Sequence, residues 1–184
     1  MNEKSHTVLV VEDERALAEL YGEWLDDQFD TRLAFDGEEA LNQISDTVDI
    51  VLLDRRMPGL SGGEVLEAIR ENGYDVQVAM VTAVEPDYDI IDMGFDDYIV
   101  KPITKDELES LVDELLSRSS YDDDIQQYYE LASKKAALEI SKSSSELEES
   151  DEYTELISKY EKVKASADNS VSSLVDDTDS SKLF

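Results

Sequence analysis

The chain has 184 residues, of which 41% are hydrophobic, and its 46 acidic and 16 basic residues give a formal net charge of −30. With no cysteine and a single histidine, His6, its composition excludes disulfides, thiolate metal sites and histidine-rich metal sites. No apolar run approaches the roughly 18 residues of a membrane-spanning helix and no signal-peptide core precedes the first strand, so we expect a soluble, cytoplasmic protein.

The acidic excess is spread along the chain. Residues 1–118 carry 30 acidic and 9 basic residues, and residues 119–184 carry 16 and 7. Such a surface can serve solubility alone, or it can be an adaptation to molar salt, where self-repulsion is screened and carboxylates remain hydrated. Because the acidity is not confined to a tail, a property of the whole surface fits better, and we favour the halophilic interpretation.

Short apolar runs alternate with amphipathic helical patterns along the first 118 residues. The strand-like segments are TVLVVED, TRLAF, DIVLL, VQVAMV and DYIV. Near-continuous apolar strands that alternate with helices predict an α/β fold, with a five-stranded parallel sheet covered on both faces. Ligands bind such a sheet at the carboxyl ends of its strands.

Polar side chains follow four of the predicted strands at those carboxyl ends. They are Glu12 and Asp13, Asp54, Thr82, and Lys101 with Pro102. Helix capping or turn chemistry would explain a single aspartate, but three carboxylates in one crevice repel each other unless a cation lies among them. Hard oxygen ligands favour Mg²⁺, and a hydroxyl and an ammonium beside the ion could neutralise and hydrogen-bond a phosphoryl group.

These motifs resemble the receiver domain of two-component response regulators across residues 5–118. The resemblance rests on VVED, LLDRRMPG, MVTA and DDYIVKP, each at the end of a predicted strand. It implies a flavodoxin-like (βα)5 fold in which Asp54 accepts a phosphoryl group. It also implies that Asp13, Asp54 and the main-chain carbonyl of Arg56 bind Mg²⁺, and that Glu12 helps to hold the ion indirectly.

The resemblance also assigns the remaining polar residues and the partner. Thr82 and Lys101 would contact the phosphoryl oxygens, Lys101–Pro102 would be a cis peptide, and Tyr98 would be an aromatic switch that turns inward when Thr82 moves. A sensor histidine kinase or phosphotransfer protein would supply the phosphoryl group to the Asp54 nucleophile. The chain would then be no ordinary enzyme, but a phosphoacceptor that assists its own phosphorylation and dephosphorylation.

Two features depart from the receiver pattern. Only 19 positions separate Thr82 from Lys101, and the acidic segment between them has few good helix formers, so we expect a fourth helix of one turn or none. This puts in question the usual output and dimer face, which includes that helix. Arg56, two residues after the acceptor, stands where receivers vary; it can affect phosphoryl lifetime or simply pair with a carboxylate.

Past Arg118 the pattern becomes helical. The joint SRSSYDDD precedes an apolar stripe of Ile125, Tyr128, Ala132, Ala136 and Ile140, with Leu131 and Leu138 alongside. A second stripe of Tyr153, Leu156, Tyr160, Val163 and Ala167 has the spacing of a short coiled coil, and Ser145 with Glu148 has that of a capping box. We predict a helical hairpin over 119–167 and a disordered tail over 168–184. This arrangement resembles the HalX-type regulators of halophilic archaea.

The output of this hairpin has two candidate explanations. Two apolar stripes need a covering surface, which could be the receiver, a second copy in a homodimer or a partner protein. A DNA-binding transcriptional regulator is the alternative, but the net charge of −9 over 119–184 disfavours contact with phosphates. An aspartyl phosphatase is disfavoured because Arg56 stands where such enzymes have their general acid. A receiver that never accepts phosphate is also disfavoured, because every position that the chemistry requires is filled.

Overall fold

The computed structural model describes the backbone of residues 6–121 and 123–180, and side chains up to residue 168. The strands in this part of the chain are β1 (Thr7–Val11), β2 (Asp30–Ala34), β3 (Ile50–Leu53), β4 (Gln77–Thr82) and β5 (Asp97–Val100). The helices are α1 (Arg15–Leu25), α2 (Gly37–Gln43), α3 (Gly62–Glu71), α4 (Lys105–Arg118), α5 (Asp123–Ser141), α6 (Ser144–Glu148) and α7 (Asp151–Ser180).

The strands form one parallel sheet in the order β2-β1-β3-β4-β5, which confirms the predicted α/β fold. Every residue of the three central strands, β1, β3 and β4, is buried. Continuous burial explains why these strands read as unbroken apolar runs, because helices cover both faces of the sheet.

The two faces of the sheet carry different helices. On one face α1 and α4 pack against the strands through Leu25, Leu108 and Leu115, all of which are fully buried. On the other face α2 and α3 cover part of the sheet, and the C-terminal helices join the same apolar core through Leu138 and Leu156. The receiver is therefore one of the surfaces that cover the C-terminal apolar stripes.

The connection between β4 and β5 contains only a 3-10 helix, Tyr88–Asp92. Asp87 begins it, accepting a hydrogen bond from the amide of Tyr88. The expectation of a fourth helix of one turn or none is thus confirmed. Helix α5 contacts both β5 and the 3-10 helix, and α7 contacts the 3-10 helix.

The C-terminal region contains the predicted pair of packed helices, α5 and α7, with three corrections. The buried face of α5 is centred on Leu131 and Leu138, whereas Ile140 of the predicted stripe is 86% exposed, because α5 lies against β5 as well as α7. A short helix, α6, separates the pair. Its cap is Ser143 with Glu146, not Ser145 with Glu148; a start at Ser144 buries Leu147. These corrections follow from tertiary packing.

The third correction concerns the predicted tail. Helix α7 continues through Ser180, where the sequence predicted disorder from residue 168; residues 181–184 lie outside the described part. The segment 168–180 contains no glycine or proline that would end a helix. Among the described residues, every helix is too short or too polar to cross a bilayer.

Candidate functional site

The carboxyl edge of the sheet brings the strand-end residues together. Parallel pairing places Val11 beside Leu53, so the residues that follow them, Glu12 and Asp54, lie next to each other. The amide of Asp54 donates to the carbonyl of Val11 at 2.9 Å, and the amide of Lys101 donates to the carbonyl of Thr82 at 2.8 Å. Strand register, rather than loop conformation, therefore fixes these side chains.

Three carboxylates converge in this crevice. One oxygen each of Glu12, Asp13 and Asp54 lies within 4.8 Å of the others. Glu12 and Asp54 are buried, while Asp13 is exposed at the mouth. Burial raises the pKa of Glu12 above its usual value, and the hydrogen bond from Lys101 opposes that rise. The crevice is therefore a closely spaced set of oxygen ligands that opens to solvent on one side.

Lys101 supplies the positive charge in this crevice. Its Nζ lies 2.5 Å from Oε2 of Glu12 and 3.7 Å from Oδ2 of Asp54, and its side chain is largely buried. One ammonium thus faces three carboxylates, which leaves a local excess of negative charge that a divalent cation would balance. The donors fit Mg²⁺, which takes oxygen ligands and keeps some of its waters. The cis peptide expected after Lys101 is present.

Gly62 positions the loop that follows Asp54. A Cβ atom at Gly62 would lie 2.1 Å from the carbonyl oxygen of Asp54, and the amide of Gly62 donates to the carbonyl of Arg55 at 2.9 Å. Helix α3 begins there with a capping box between Ser61 and Glu64. Only glycine allows this close approach, so the start of α3 holds the Asp54 loop in place.

Thr82 and Tyr98 lie behind the crevice and share a hydrogen-bonded neighbour. Thr82 is fully buried, and its hydroxyl accepts from the amide of Val84 at 3.2 Å. The buried Tyr98 donates its hydroxyl to the carbonyl of Val84 at 2.7 Å, and its ring packs 5.5 Å from that of Phe95. Burial raises the pKa of Tyr98. The aromatic ring therefore points inward here, linked to Thr82 through one residue.

One functional candidate, Arg55, escaped the sequence reasoning, which considered Arg56 as the charged residue near the acceptor. Arg56 is exposed, and its carbonyl as a metal ligand stays a prediction. Arg55 instead pairs through Nη2 with the carboxylate of Asp89, and its Nη1 lies 3.5 Å from the hydroxyl of Tyr98. Asp89, the partner of Arg55, is not adjacent to it in sequence. Tyr21 of the α1 core lies near the crevice: burial and then the charge of Glu12 raise its pKa to about 12.

A comparison with protein-family models matches the description "Response regulator receiver domain" over residues 8–113. The chain belongs to the response regulator receiver family. Its strand-end motifs and its β2-β1-β3-β4-β5 sheet are thereby accounted for together. A second model, the HalX domain, matches residues 117–184, which confirms the suspected C-terminal region. The response regulator thus combines a receiver with HalX helices.

Curated relatives agree with this assignment. A Haloferax volcanii protein, provisionally named a transcriptional regulator, is 49% identical over 86% of this chain but only 27% of its own length. The transcriptional regulatory proteins DltR of Streptococcus agalactiae and CpxR of Escherichia coli are 42% and 36% identical over 55% and 62% of this chain. The response regulator therefore spans about a quarter of the archaeal relative and about half of the bacterial ones.

Solved structures show the same fold. The receiver domain of the Francisella response regulator 1452 is 30% identical, with a TM-score of 0.56, covering 62% of this chain and 99% of that one. Thermotoga maritima TrrA, solved in complex with Mg²⁺ and BeF, is 36% identical, with a TM-score of 0.53, covering 60% of this chain and 99% of that one. Both likenesses support the receiver assignment of the response regulator.

Proposed function

We propose that this response regulator accepts a phosphoryl group on Asp54 from a sensor histidine kinase or phosphotransfer protein, with Mg²⁺ bound. The observation that carries the proposal is the convergence of Glu12, Asp13 and Asp54 with Lys101 at the strand ends. A carboxylate oxygen of Asp54 attacks phosphorus, the bond from phosphorus to the histidine nitrogen breaks, and that nitrogen leaves with the electron pair. The product is an aspartyl phosphate.

The surrounding residues have separate tasks in this proposal. Asp13, Asp54 and the carbonyl of Arg56 would hold Mg²⁺, with Glu12 supporting them, and the ion would neutralise charge on the phosphoryl oxygens. Lys101 lies close enough to Asp54, at 3.7 Å, to transfer its hydrogen bonds to a phosphoryl oxygen. The likeness to TrrA, whose structure contains Mg²⁺ and BeF, supports this assignment by similarity alone.

Intact-mass measurement after incubation with acetyl phosphate and Mg²⁺ in molar salt tests the acceptor. We expect one phosphoryl group on the wild type and on Asp92→Ala, an exposed aspartate of the 3-10 helix outside the crevice, and none on Asp54→Ala. Undiminished labelling of Asp54→Ala would contradict the assignment. Lys101→Ala is expected to take the label but to signal poorly, because the phosphoryl oxygens lose a cation.

The switch follows from the chain of contacts that joins Thr82, Val84 and Tyr98. When the Thr82 hydroxyl turns to the phosphoryl group it releases the Val84 amide, so the packing around Tyr98 has two arrangements that phosphorylation can bias. Tyr98→Ala should therefore accept phosphate and fail to signal. Full output from that variant would refute the switch.

For output, we favour protein–protein association through the C-terminal helices, with a second copy as one possible partner. The DNA-binding alternative draws support from the names of the relatives, which include transcriptional regulators. Against it, residues 119–184 carry 16 acidic and 7 basic residues, and within the local basic group of Lys159, Lys162 and Lys164, Lys159 is paired with Glu155. Sequence-specific DNA retardation that disappears on truncation at residue 118 would decide for DNA.

A further inference from the structure

The connection from β4 to β5, residues 83–96, is held by the C-terminal helices through polar contacts. They are Ser141 Oγ to Pro86 O at 3.0 Å, Lys142 Nζ to Asp87 Oδ1 at 2.9 Å, Tyr88 Oη to Glu146 O at 3.0 Å and Lys134 Nζ to Ile91 O at 2.8 Å. All four contacts fall on the six residues 86–91. Any displacement of this short segment therefore acts on α5 and α6 together.

The same segment is held on its other side by the residue next to the phosphoryl acceptor. The guanidinium of Arg55 pairs with Asp89, in the middle of the 3-10 helix, and also approaches the hydroxyl of Tyr98. The side chain of Arg55 is 19% exposed and that of Asp89 is 55% exposed. Arg55 thus directly follows Asp54 in the chain and is paired with the segment that contacts the C-terminal helices.

We propose that Arg55 couples the state of Asp54 to the docking of the C-terminal helices. A phosphoryl group on Asp54 draws the guanidinium away from Asp89, the segment 83–96 loses its attachment to the Asp54 loop, and α5 and α6 loosen from the receiver. This inference rests on the proposed function, because it takes Asp54 as the acceptor, and it adds the route from that site to the helices.

The charges favour this exchange of partners. A phosphoryl group offers the guanidinium close to two negative charges and three acceptor oxygens, whereas Asp89 offers one charge in a half-exposed setting. Surface ion pairs of the latter kind are weak. Thr82 acts in the same direction, since its hydroxyl gives up the Val84 amide when it turns to the phosphoryl group. Both changes loosen the start of the segment.

The contacts that would be lost are those suited to reversible release. Each polar link between residues 86–91 and the C-terminal helices is a single hydrogen bond or ion pair. The apolar anchors, Leu138 and Leu156, are fully buried in the common core and would keep the helices attached. Loosening therefore exposes the polar side of the segment and of α6 without separating the two regions.

Hydrogen–deuterium exchange on the full chain tests the coupling, with and without acetyl phosphate and Mg²⁺. In the wild type, peptides from residues 134–148 should exchange several-fold faster after phosphorylation. Asp89→Ala should show that faster exchange before phosphorylation and little further change after it. Asp92→Ala removes the same charge from the same 3-10 helix at an exposed position, and should behave as the wild type does.

The variant Arg55→Ala separates phosphorylation of Asp54 from its coupling to the C-terminal helices. It should take phosphate, as intact mass reports, yet show a much smaller change of exchange in residues 134–148 on phosphorylation than the wild type does. A phosphorylated wild type whose exchange in this region is unchanged overturns the coupling and leaves the acceptor assignment standing. A wild type that takes no phosphate overturns the acceptor assignment and the coupling with it.

Discussion

Two charged regions of the molecule differ in how their charges balance. In the strand-end crevice, the carboxylates of Glu12, Asp13 and Asp54 lie together, and the ammonium of Lys101 pairs with those of Glu12 and Asp54. Along the border between receiver and C-terminal helices, cations are matched by carboxylates in the pairs Arg55–Asp89, Lys134–Glu130, Lys142–Asp87 and Arg118–Asp97, of which Lys142–Asp87 joins the two regions. The unmatched charge of the crevice calls for a ligand, whereas the charges of the border are balanced by the protein itself.

The largest expected effect comes from adding Mg²⁺, which would balance the excess negative charge of the crevice. At a Mg²⁺ concentration 100-fold above its Kd, the free energy of unfolding should rise by about 2.7 kcal/mol, because the ion binds the folded state alone. Asp13→Ala removes an exposed carboxylate of the crevice and should abolish most of this gain. Asp27→Ala, also exposed but remote from the crevice, should keep it. Thermal unfolding with and without chelator measures the difference; an equal gain in both variants would show that Mg²⁺ binds elsewhere.

A smaller effect is expected from Lys134, the most buried charged side chain among the matched pairs of the border. The side chain of Lys134 is 5% exposed, and its ammonium pairs with Glu130 at 2.8 Å and donates to the carbonyl of Ile91. Lys134→Ala should cost about 1–3 kcal/mol of unfolding free energy, since it leaves a buried acceptor unpaired and removes a packed side chain. Lys105→Ala, whose partner Glu109 lies on the same helix at the surface, should cost little.

Lys134→Met divides this cost between charge and packing. Methionine keeps an apolar stem of similar length against Phe95, over whose ring the Lys134 ammonium lies at 5.5 Å, but it cannot donate to Ile91. The loss should therefore be smaller than for Lys134→Ala. If chemical denaturation gives the same loss for both variants, packing of the stem contributes nothing and the polar contacts carry the whole effect.

The crevice was readable from the sequence because its residues sit at strand ends, where parallel pairing fixes their neighbours. Asp54 and Lys101 could be placed together from alternation alone. The border was not readable in this way. Which of two equally spaced serines caps α6, and which arginine finds Asp89, depend on packing between elements that are distant in the chain. Ile140 likewise has the helical spacing of the predicted stripe, but its side chain is exposed because α5 turns another face toward the receiver.

A third test concerns the cost of the unmatched charge itself, in the metal-free protein. Burial raises the pKa of Glu12, so the folded state holds this proton more tightly than the unfolded chain does. Its favourable contribution is present below the ordinary glutamate pKa and is lost as pH rises through the raised, folded-state value. Glu12→Gln cannot ionise and escapes that loss. The variant should therefore gain stability over the wild type as pH rises, by less than the Mg²⁺ effect.

Thermal unfolding from about pH 3 to about pH 8 in chelator would show this gain. Adding Mg²⁺ should reverse the stability difference at neutral pH, because in the wild type the ion then balances the carboxylate of Glu12, which the variant lacks. Glu39→Gln provides a matched control: its carboxylate accepts from the amide of Phe35 at the start of α2, outside the crevice. A Glu12→Gln variant that is less stable than the wild type throughout, in chelator, would show that the hydrogen bond from Lys101 outweighs burial.

The smallest expected effect comes from the most exposed of the matched pairs. Contact with Asp87 raises the pKa of Lys142, and the carboxylate of Asp87 is 65% exposed. In dilute salt, Lys142→Ala should slightly speed hydrogen exchange in α6. In molar salt the difference should disappear, because screening removes an exposed ion pair.

Docking of the C-terminal helices as a whole should follow the opposite trend, since screening also relieves repulsion among the 16 acidic residues of 119–184. Far-ultraviolet circular dichroism across salt separates the two: docking that weakens as salt rises would mean that the matched pairs, and not carboxylate repulsion, control this border.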